Sequence, residues 1–425
     1  MDSHMDPGSL IARVGGRWAG HDLQRQFQGE VAELLGRRNR NFPGAQPVSF
    51  AAKHITELKR EDYYVCEKTD GMRYLMYLTR DGERDIHYLI DRKNDYYYVP
   101  GLHFPHHEDP TFKRFHTDTI LDGELVEDQY PDKPPVVKFL IFDCLVLDGN
   151  SLMQRPLDKR LAYCKSYVLK PYHAMLKQDP SIHQAFVIED KATEFSYALE
   201  KMFKDIIPRV KKLHGNDGLI FTCKNTPYKF GTDEHILKWK PPEENTVDFL
   251  MHIEWATYEP DNEDPDRSPQ MDYDALPVRF GLYIYHGNGA DYAHVGDLHV
   301  MPSEWEDWKA RRKPLQDIIV ECYQEDLTKD MASTDSSDGM NGENVNAHAN
   351  EATNGSGQTR RWRFHRFRDD KTDANHVTTY QSVIESIEDH ITEDDLLSSA
   401  NDIRTAWKSR NADQEKKQAP RPGGK

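Results

Sequence analysis

A chain of 425 residues is long for a single hydrophobic core and points to two domains plus tails. With 37% hydrophobic and 11% aromatic residues it can fill ordinary cores, and no run approaches the roughly eighteen apolar residues of a membrane span. A formal net charge of -17 excludes a protein that coats nucleic acid over its whole surface, since that draws on counterion release by many Lys and Arg side chains; any such contact must be local.

Residues 1–9 resemble a cloning remnant in part, and 1–22 read as a disordered N-terminal arm without an apolar signal region. From Leu23 to Leu35 apolar positions fall at helical spacing, ending at Gly36. Strand-like runs follow at 63–66, 73–78, 87–90, 96–99, 119–126 and 138–147, separated by turn pairs such as Asp81-Gly82 and Asp148-Gly149. Helical spacing over 157–176 and 192–213 predicts two helices, with Gly215 as a stop. Strands resume at 217–222 and 235–240, and Pro241-Pro242 is a rigid boundary that closes a first domain of 23–245.

The second domain, 246–390, alternates apolar and polar residues in short pieces, as suits a small antiparallel barrel. At about 329–358 the chain turns to Ser, Asp, Asn, Gly and Ala and reads as a disordered insertion. A strand at 362–367 and a helix at 378–390 follow, and 391–425 reads as a solvated C-terminal tail. Cys66, Cys144, Cys164, Cys223 and Cys322 are odd in number and scattered, which fits neither a disulfide framework nor a paired-cysteine zinc site. A reducing compartment, cytosol or nucleus, is expected.

The chemistry is concentrated in a few short segments. Lys68-Thr69-Asp70-Gly71 puts a lysine at the end of a strand and turns the chain, delivering Arg73 five positions later. A lysine amine is a nucleophile only when deprotonated, which at an ordinary pKa near 10.4 holds for about one in a thousand at neutral pH. Nearby cations would favour the neutral amine, and Arg73, a divalent metal and the lysines of Lys238-Trp239-Lys240 are the expected sources. Lys238 and Lys240 share a strand face, which suits either a polyanion or a solvated edge. Asp122-Gly123-Glu124 and Asp217-Gly218 place carboxylates at strand ends, where they can hold a ribose hydroxyl or Mg2+, although Asp-Gly is also a common turn. Arg366 and Arg368, with Lys371 beyond, could clamp a triphosphate or pair with Asp369 and Asp370.

In chain order, Lys68-Thr69-Asp70-Gly71, Ile90-Asp91-Arg92, Asp122-Gly123-Glu124-Leu125, Asp217-Gly218-Leu219-Ile220, Lys238-Trp239-Lys240 and Arg368-Asp369-Asp370-Lys371 resemble the motifs of the covalent nucleotidyltransferase superfamily of mRNA capping enzymes and ATP-dependent polynucleotide ligases. Segments 42–49, 225–232 and 240–249 resemble the capping branch, and fungal mRNA guanylyltransferases in particular. The resemblance implies an α+β fold, with a nucleotidyltransferase domain of antiparallel sheets and flanking helices followed by an OB-fold barrel. It implies transfer of GMP from GTP, through a covalent lysyl-GMP, to the 5'-diphosphate end of RNA, with Mg2+ or Mn2+.

The same resemblance makes Lys68 the nucleophile; Arg73, Arg92 and Glu124 ribose and phosphate contacts; and Phe142 the ring that stacks on guanine. It makes Thr69 a contact to the base, with Asp70, Gly71 and Asp248 also in the nucleotide site. Lys238 and Lys240 become phosphate ligands, Asp217 the residue near the metal, and Arg368, Asp370 and Lys371 the group that closes over pyrophosphate. It further implies a nuclear location, docking on the phosphorylated carboxy-terminal repeats of RNA polymerase II, and a separate RNA triphosphatase, since the short arm holds no such domain.

Four other readings compete. An ATP-dependent ligase is the in-family alternative, and a non-catalytic scaffold on the transcription machinery the other, disfavoured because each charged motif position is filled. Cys66 has six residues before Arg73 where a cysteine phosphatase loop needs five, so a small buried thiol is the better reading. His103, His106 and His107 could bind metal, yet irregular spacing beside Pro105 and Pro110 favours surface histidines.

Overall fold

The computed structural model describes residues 9–241, 244–258, 269–287, 291–326, 352–353, 359–389 and 391–418. The chain forms two units, one built from the residues up to Trp239 together with those from Thr392 onward, the other from Lys240 to Ile391. Most of the expected insertion at 329–358 lies outside the described residues, as do residues 1–8 of the expected arm.

Two sheets organise the first unit. One runs in the order Arg17–Trp18, Tyr96–Tyr98, Arg84–Ile90, Met72–Asp81, Thr119–Tyr130, Lys133–Leu147 and Val187–Asp190. Its neighbours are antiparallel except for the last pair. The central strands are buried on both faces, which is why Phe139 to Leu147 is nearly continuous apolar sequence rather than alternating. Leu75 and Tyr77 face the helix His21–Leu34 through Phe27 and Val31, whereas Met76 and Leu78 face the segment 157–178 through Val168 and Tyr172. That segment is one expected helix interrupted by a π-turn at Cys164–Leu169, and a second π-turn spans Met202–Ile206. Each is followed, one residue later, by a proline, Pro171 or Pro208; a ring without N–H cannot donate to the preceding turn and crowds its carbonyl, so the helix widens there.

The second sheet runs Thr193–Phe195, Tyr63–Thr69, Asn216–Cys223, Gly231–Trp239 and Ala45–Ser49. Residues 193–195 were expected to begin a helix; they pair instead along Tyr64 to Cys66. The helix Glu393–Gln418 belongs to this unit, in place of the expected tail, because Leu396, Ile403 and Trp407 are buried. Trp407 meets the rings of Phe195 and Tyr197 at 5.0 and 5.6 Å, and Arg410 donates to Asp62 at 2.8 Å. The expected arm is likewise ordered from Ser9: Ile11 and Val14 enter the core, and Arg17–Trp18 adds a strand.

In the second unit five strands close on themselves: Tyr292–His299, Arg279–Tyr285, Thr246–Glu254, Ile318–Asp326 and Thr359–Phe367, the last returning to the first in parallel. This is an OB-type barrel, so the fold is α+β with a C-terminal barrel. Val247, Phe249, Met251, Leu282, Val320 and Trp362 fill it. The helix Pro302–Ala310, where no element was expected, contributes Trp305 and Trp308 to the same core.

Candidate active site

Alternation along Tyr63–Thr69 buries Val65, Glu67 and Thr69 and leaves Lys68 partly exposed on the face it shares with Cys66. The neighbouring strand pairs regularly from Cys223 to Leu219, then slips before Asn216. This bulge sits at Gly218, whose φ of 142° suits a glycine, and bulges re-aim the side chains beside them. Asn216 holds it: its amide donates to the carbonyls of Lys68 at 3.1 Å and Gly218 at 2.9 Å and accepts the Gly218 N–H at 3.2 Å. The outcome is that both oxygens of Asp217 lie on Lys68 Nζ, at 2.5 and 2.6 Å. Lys68 thus has a carboxylate against its amine, a contact that spacing in the sequence did not reveal.

Gly71 follows because nothing larger fits. A Cβ there would stand 2.7 Å from Val126 Cγ1 and 2.9 Å from the Leu125 carbonyl oxygen, on the strand that carries Glu124. Arg73 is opposite Glu124 in register but gives its guanidinium to Asp122, at 3.0 and 2.7 Å, and to the Ala45 carbonyl. Asp122 is fully buried and also accepts from the Tyr228 hydroxyl at 2.7 Å; that hydroxyl takes the Ala45 N–H at 2.9 Å. Burial weighs against the charged guanidinium, but Asp122 outweighs it and holds the Arg73 pKa above its ordinary value. This bidentate pair balances the Arg73 charge within the sheet.

Phe142 has two cations near its ring, the Arg73 guanidinium carbon at 5.5 Å and Lys191 Nζ at 5.9 Å from its centroid. Lys191 is buried and donates to Glu124 at 2.9 Å. Burial pulls its amine pKa down, but the Glu124 pair outweighs that and raises it. Desolvation pushes the Cys66 thiol up to about 11, so it is no thiolate nucleophile.

Lys238 pairs across Ile220 with Cys66, which places it on the face of Lys68 two strands away. Lys240 lies beyond the strand end, in the second unit, and its Nζ donates to the Glu244 carbonyl at 3.4 Å. Thr69 takes the opposite face from Lys68, buried, with no hydrogen-bond partner for Oγ1 among the described residues. Arg92 and Asp70 are exposed in turns outside this hydrogen-bonded group.

The second unit holds its own cluster. Asp248 is buried and accepts from Arg368 at 2.9 and 3.1 Å and from Lys371, while its backbone N–H donates to Asn375 Oδ1 at 2.9 Å. Arg368 also clasps Asp370 at 2.8 and 2.7 Å, which keeps that carboxyl below the usual range. Asp248 thus anchors the basic pair within the barrel unit.

Tyr228, Lys191 and Asn216 complete these groups, and sequence reasoning gave none of them a role; Asp122, read as a candidate for a ribose hydroxyl or Mg2+, has both oxygens on Arg73 and Tyr228 instead. Asp122 and Tyr228 lie inside segments that carried the resemblance; Lys191 and Asn216 sit in no motif.

A strand lysine against an Asp on a bulge, a buried arginine and a flanked aromatic, with a separate OB-type barrel, define a nucleotidyltransferase. The chain matches the model of the mRNA capping enzyme catalytic domain over residues 12–242 and that of the mRNA capping enzyme C-terminal domain over 244–397. It belongs to the mRNA capping enzyme family, and its enzyme class is mRNA guanylyltransferase. Among its relatives are proteins named mRNA-capping enzyme subunit alpha. That of Neurospora crassa is 45% identical over 424 residues, covering 95% of this chain and 96% of the relative. That of Schizosaccharomyces pombe is 40% identical, covering 93% and 89%, and that of Saccharomyces cerevisiae 34% identical, covering 90% and 84%.

Proposed function

We propose that Lys68 Nζ attacks the α-phosphate of GTP, forming a lysyl-GMP phosphoramidate as pyrophosphate departs. The 5'-diphosphate end of an RNA then attacks the same phosphorus, expelling the lysine and leaving the GpppN cap. The observation that carries this reading is the Lys68–Asp217 pair, with both carboxylate oxygens 2.5 and 2.6 Å from Nζ. Asp217 holds the amine in place and takes its proton as the N–P bond forms; in the second step the proton returns as the lysine leaves. Phe142 offers the guanine a face, and Glu124, tethered by Lys191, offers the ribose an acceptor.

Arg73 and Asp122 fix the floor beneath them, and Arg368 and Lys371 are assigned the pyrophosphate. The donor set fits Mg2+ or Mn2+, since such ions are held through one or two carboxylates plus substrate phosphates. Asp217 would hold the ion, which when bound supplies charge stabilisation at the phosphates. Thr69, Asp70, Gly71, Arg92, Lys238, Lys240, Asp248 and Asp370 keep the supporting roles assigned by resemblance. With the RNA come a separate RNA triphosphatase, the phosphorylated polymerase repeat and a nuclear location, consistent with a family that acts on mRNA.

The test is to incubate the protein with α-labelled GTP or ATP and Mg2+, then denature it. Label is expected from GTP alone, stable to alkali, labile to acid and absent in Lys68→Ala. Label from ATP instead, or label retained by Lys68→Ala, refutes the assignment.

A further inference from the structure

Three imidazoles and a carboxylate that the nucleotidyl-transfer site does not use converge in the first unit. The loop between Tyr98 and Thr119 folds back on itself: the His106 N–H donates to the Arg114 carbonyl at 2.8 Å and the His116 N–H to the Phe104 carbonyl at 2.9 Å. This brings the ring centroid of His106 to 4.5 Å from His107 and 5.0 Å from His116. The turn Asp148-Gly149, with φ of 47° and 73°, delivers the Asp148 carboxylate among them, and the Gly149 N–H ties it to the Asp118 carbonyl at 2.9 Å.

The four side chains divide by what their atoms already do. His116 is fully buried and commits both ring nitrogens, Nδ1 to Asp148 at 2.9 and 3.0 Å and Nε2 to the Tyr167 carbonyl at 2.9 Å. It therefore orients Asp148 rather than offering a lone pair. His106 Nε2 lies 3.5 Å from Asp148 Oδ2, and the ring of His107, exposed, lies 4.4 Å from that of Tyr167 at a tilt of 44°. One ligand atom each from His106, His107 and Asp148 falls within 4.8 Å of the others.

A tetrahedral ion about 2.0–2.1 Å from each donor sets its donors roughly 3.4 Å apart. The His106–Asp148 pair already has that spacing, and rotation of the exposed His107 closes the rest. Ligation through His106 Nε2 moves the ring proton to Nδ1, which then faces the Glu108 carboxylate at 3.8 Å instead of the Glu108 N–H it accepts at 3.3 Å. A carboxylate behind a ligating imidazole is the usual support for such a ring, as His116 is here for Asp148.

We propose that His106, His107 and Asp148 bind one divalent transition-metal ion of the zinc class, with His116 as the positioning residue for Asp148. Two imidazoles and one carboxylate favour such an ion over Mg2+, which prefers oxygen ligands, so this site is chemically distinct from the nucleotide metal. The ion pins the loop 99–118 to the turn after Leu147. Spacing concealed the site, since His106 and His107 are adjacent while Asp148 arrives from another hairpin.

The experiment is to titrate Co2+ into the full chain without nucleotide, following its visible d–d absorption, and to melt the protein with Zn2+ or Mg2+. A tetrahedral Co2+ band saturating at one equivalent is expected, with affinity at least tenfold lower in His107→Ala and in Asp148→Asn. Zn2+, and not Mg2+, should raise the melting temperature of the wild type but not of His107→Ala, and GMP labelling of that variant should be unchanged. Octahedral Co2+ alone, or equal Co2+ affinity and equal Zn2+ stabilisation in His107→Ala, overturns the proposal.

Discussion

Replacing Asp122 by asparagine tests whether Arg73 belongs to the framework. Asp122 is fully buried and accepts two bonds from Arg73, at 3.0 and 2.7 Å, and one from Tyr228 at 2.7 Å. Asparagine keeps the shape, removes the charge and turns an N–H2 toward one of these donors. The Arg73 side chain is 11% exposed and would be left a largely buried, unbalanced cation, a situation that costs roughly 3–5 kcal/mol. In a unit of this size each kcal/mol moves the melting temperature by about 2–4 °C, so a fall of about 6–20 °C is expected. The assay is calorimetry of wild type, Asp122→Asn, Arg73→Met and the double variant, with GMP labelling of each. The double variant should melt well above the sum of the two single losses, because removing both partners leaves no orphaned charge. An Asp122→Asn protein melting within 2 °C of wild type, or strictly additive losses, would refute the framework role.

Three further outcomes are expected. His214 is buried between Glu67 and Asp128, at 3.2 and 2.6 Å; burial pulls its pKa down, but the two carboxylates outweigh it and raise the folded value. The stability margin of wild type over His214→Gln should then be full below a pH of about 6.5 and decline as pH rises through the folded pKa; melts from acid to alkaline pH that show a constant or growing margin contradict this. Gly71→Ala forces a methyl against the Leu125 carbonyl and Val126, costing roughly 1–3 kcal/mol in the first unit and lowering the rate of GMP labelling; an unchanged rate and melt would show that the strands yield freely. Trp407→Ala removes a ring that is 3% exposed, for a loss of roughly 3–5 kcal/mol, and should expose the helix Glu393–Gln418 to proteolysis; resistance equal to wild type would show that the helix holds by its ion pairs alone.

Much of this fold was legible because period-two patterning survives wherever a strand has one wet face. Tyr63–Thr69 alternates cleanly and is predicted to within a few residues, and the barrel strand Thr246–Glu254 keeps the same alternation except at the buried Asp248. What escaped notice was structure whose burial comes from a distant partner. The helix Glu393–Gln418 is strongly charged, and its few apolar anchors find their face only on elements some 200–350 positions earlier in the chain. Thr193–Phe195 is likewise too short to show a period, and it becomes a strand through the edge it completes. In the site, motif residues gave the identity of Lys68 and Asp217, but their contact depends on a bulge set by Asn216 and Gly218. Of the cations expected near Lys68, Arg73 is claimed by Asp122, a pairing across two strands that spacing in the sequence does not reveal.

The first unit takes its last helix from residues that follow the entire barrel. During synthesis, the barrel segment emerges whole and can close while the strand carrying Lys68 still lacks the helix that seats Trp407 beside its neighbours. The catalytic unit, begun first, is thus finished last, and a chain halted after Ile391 holds a complete barrel segment and an unsealed sheet.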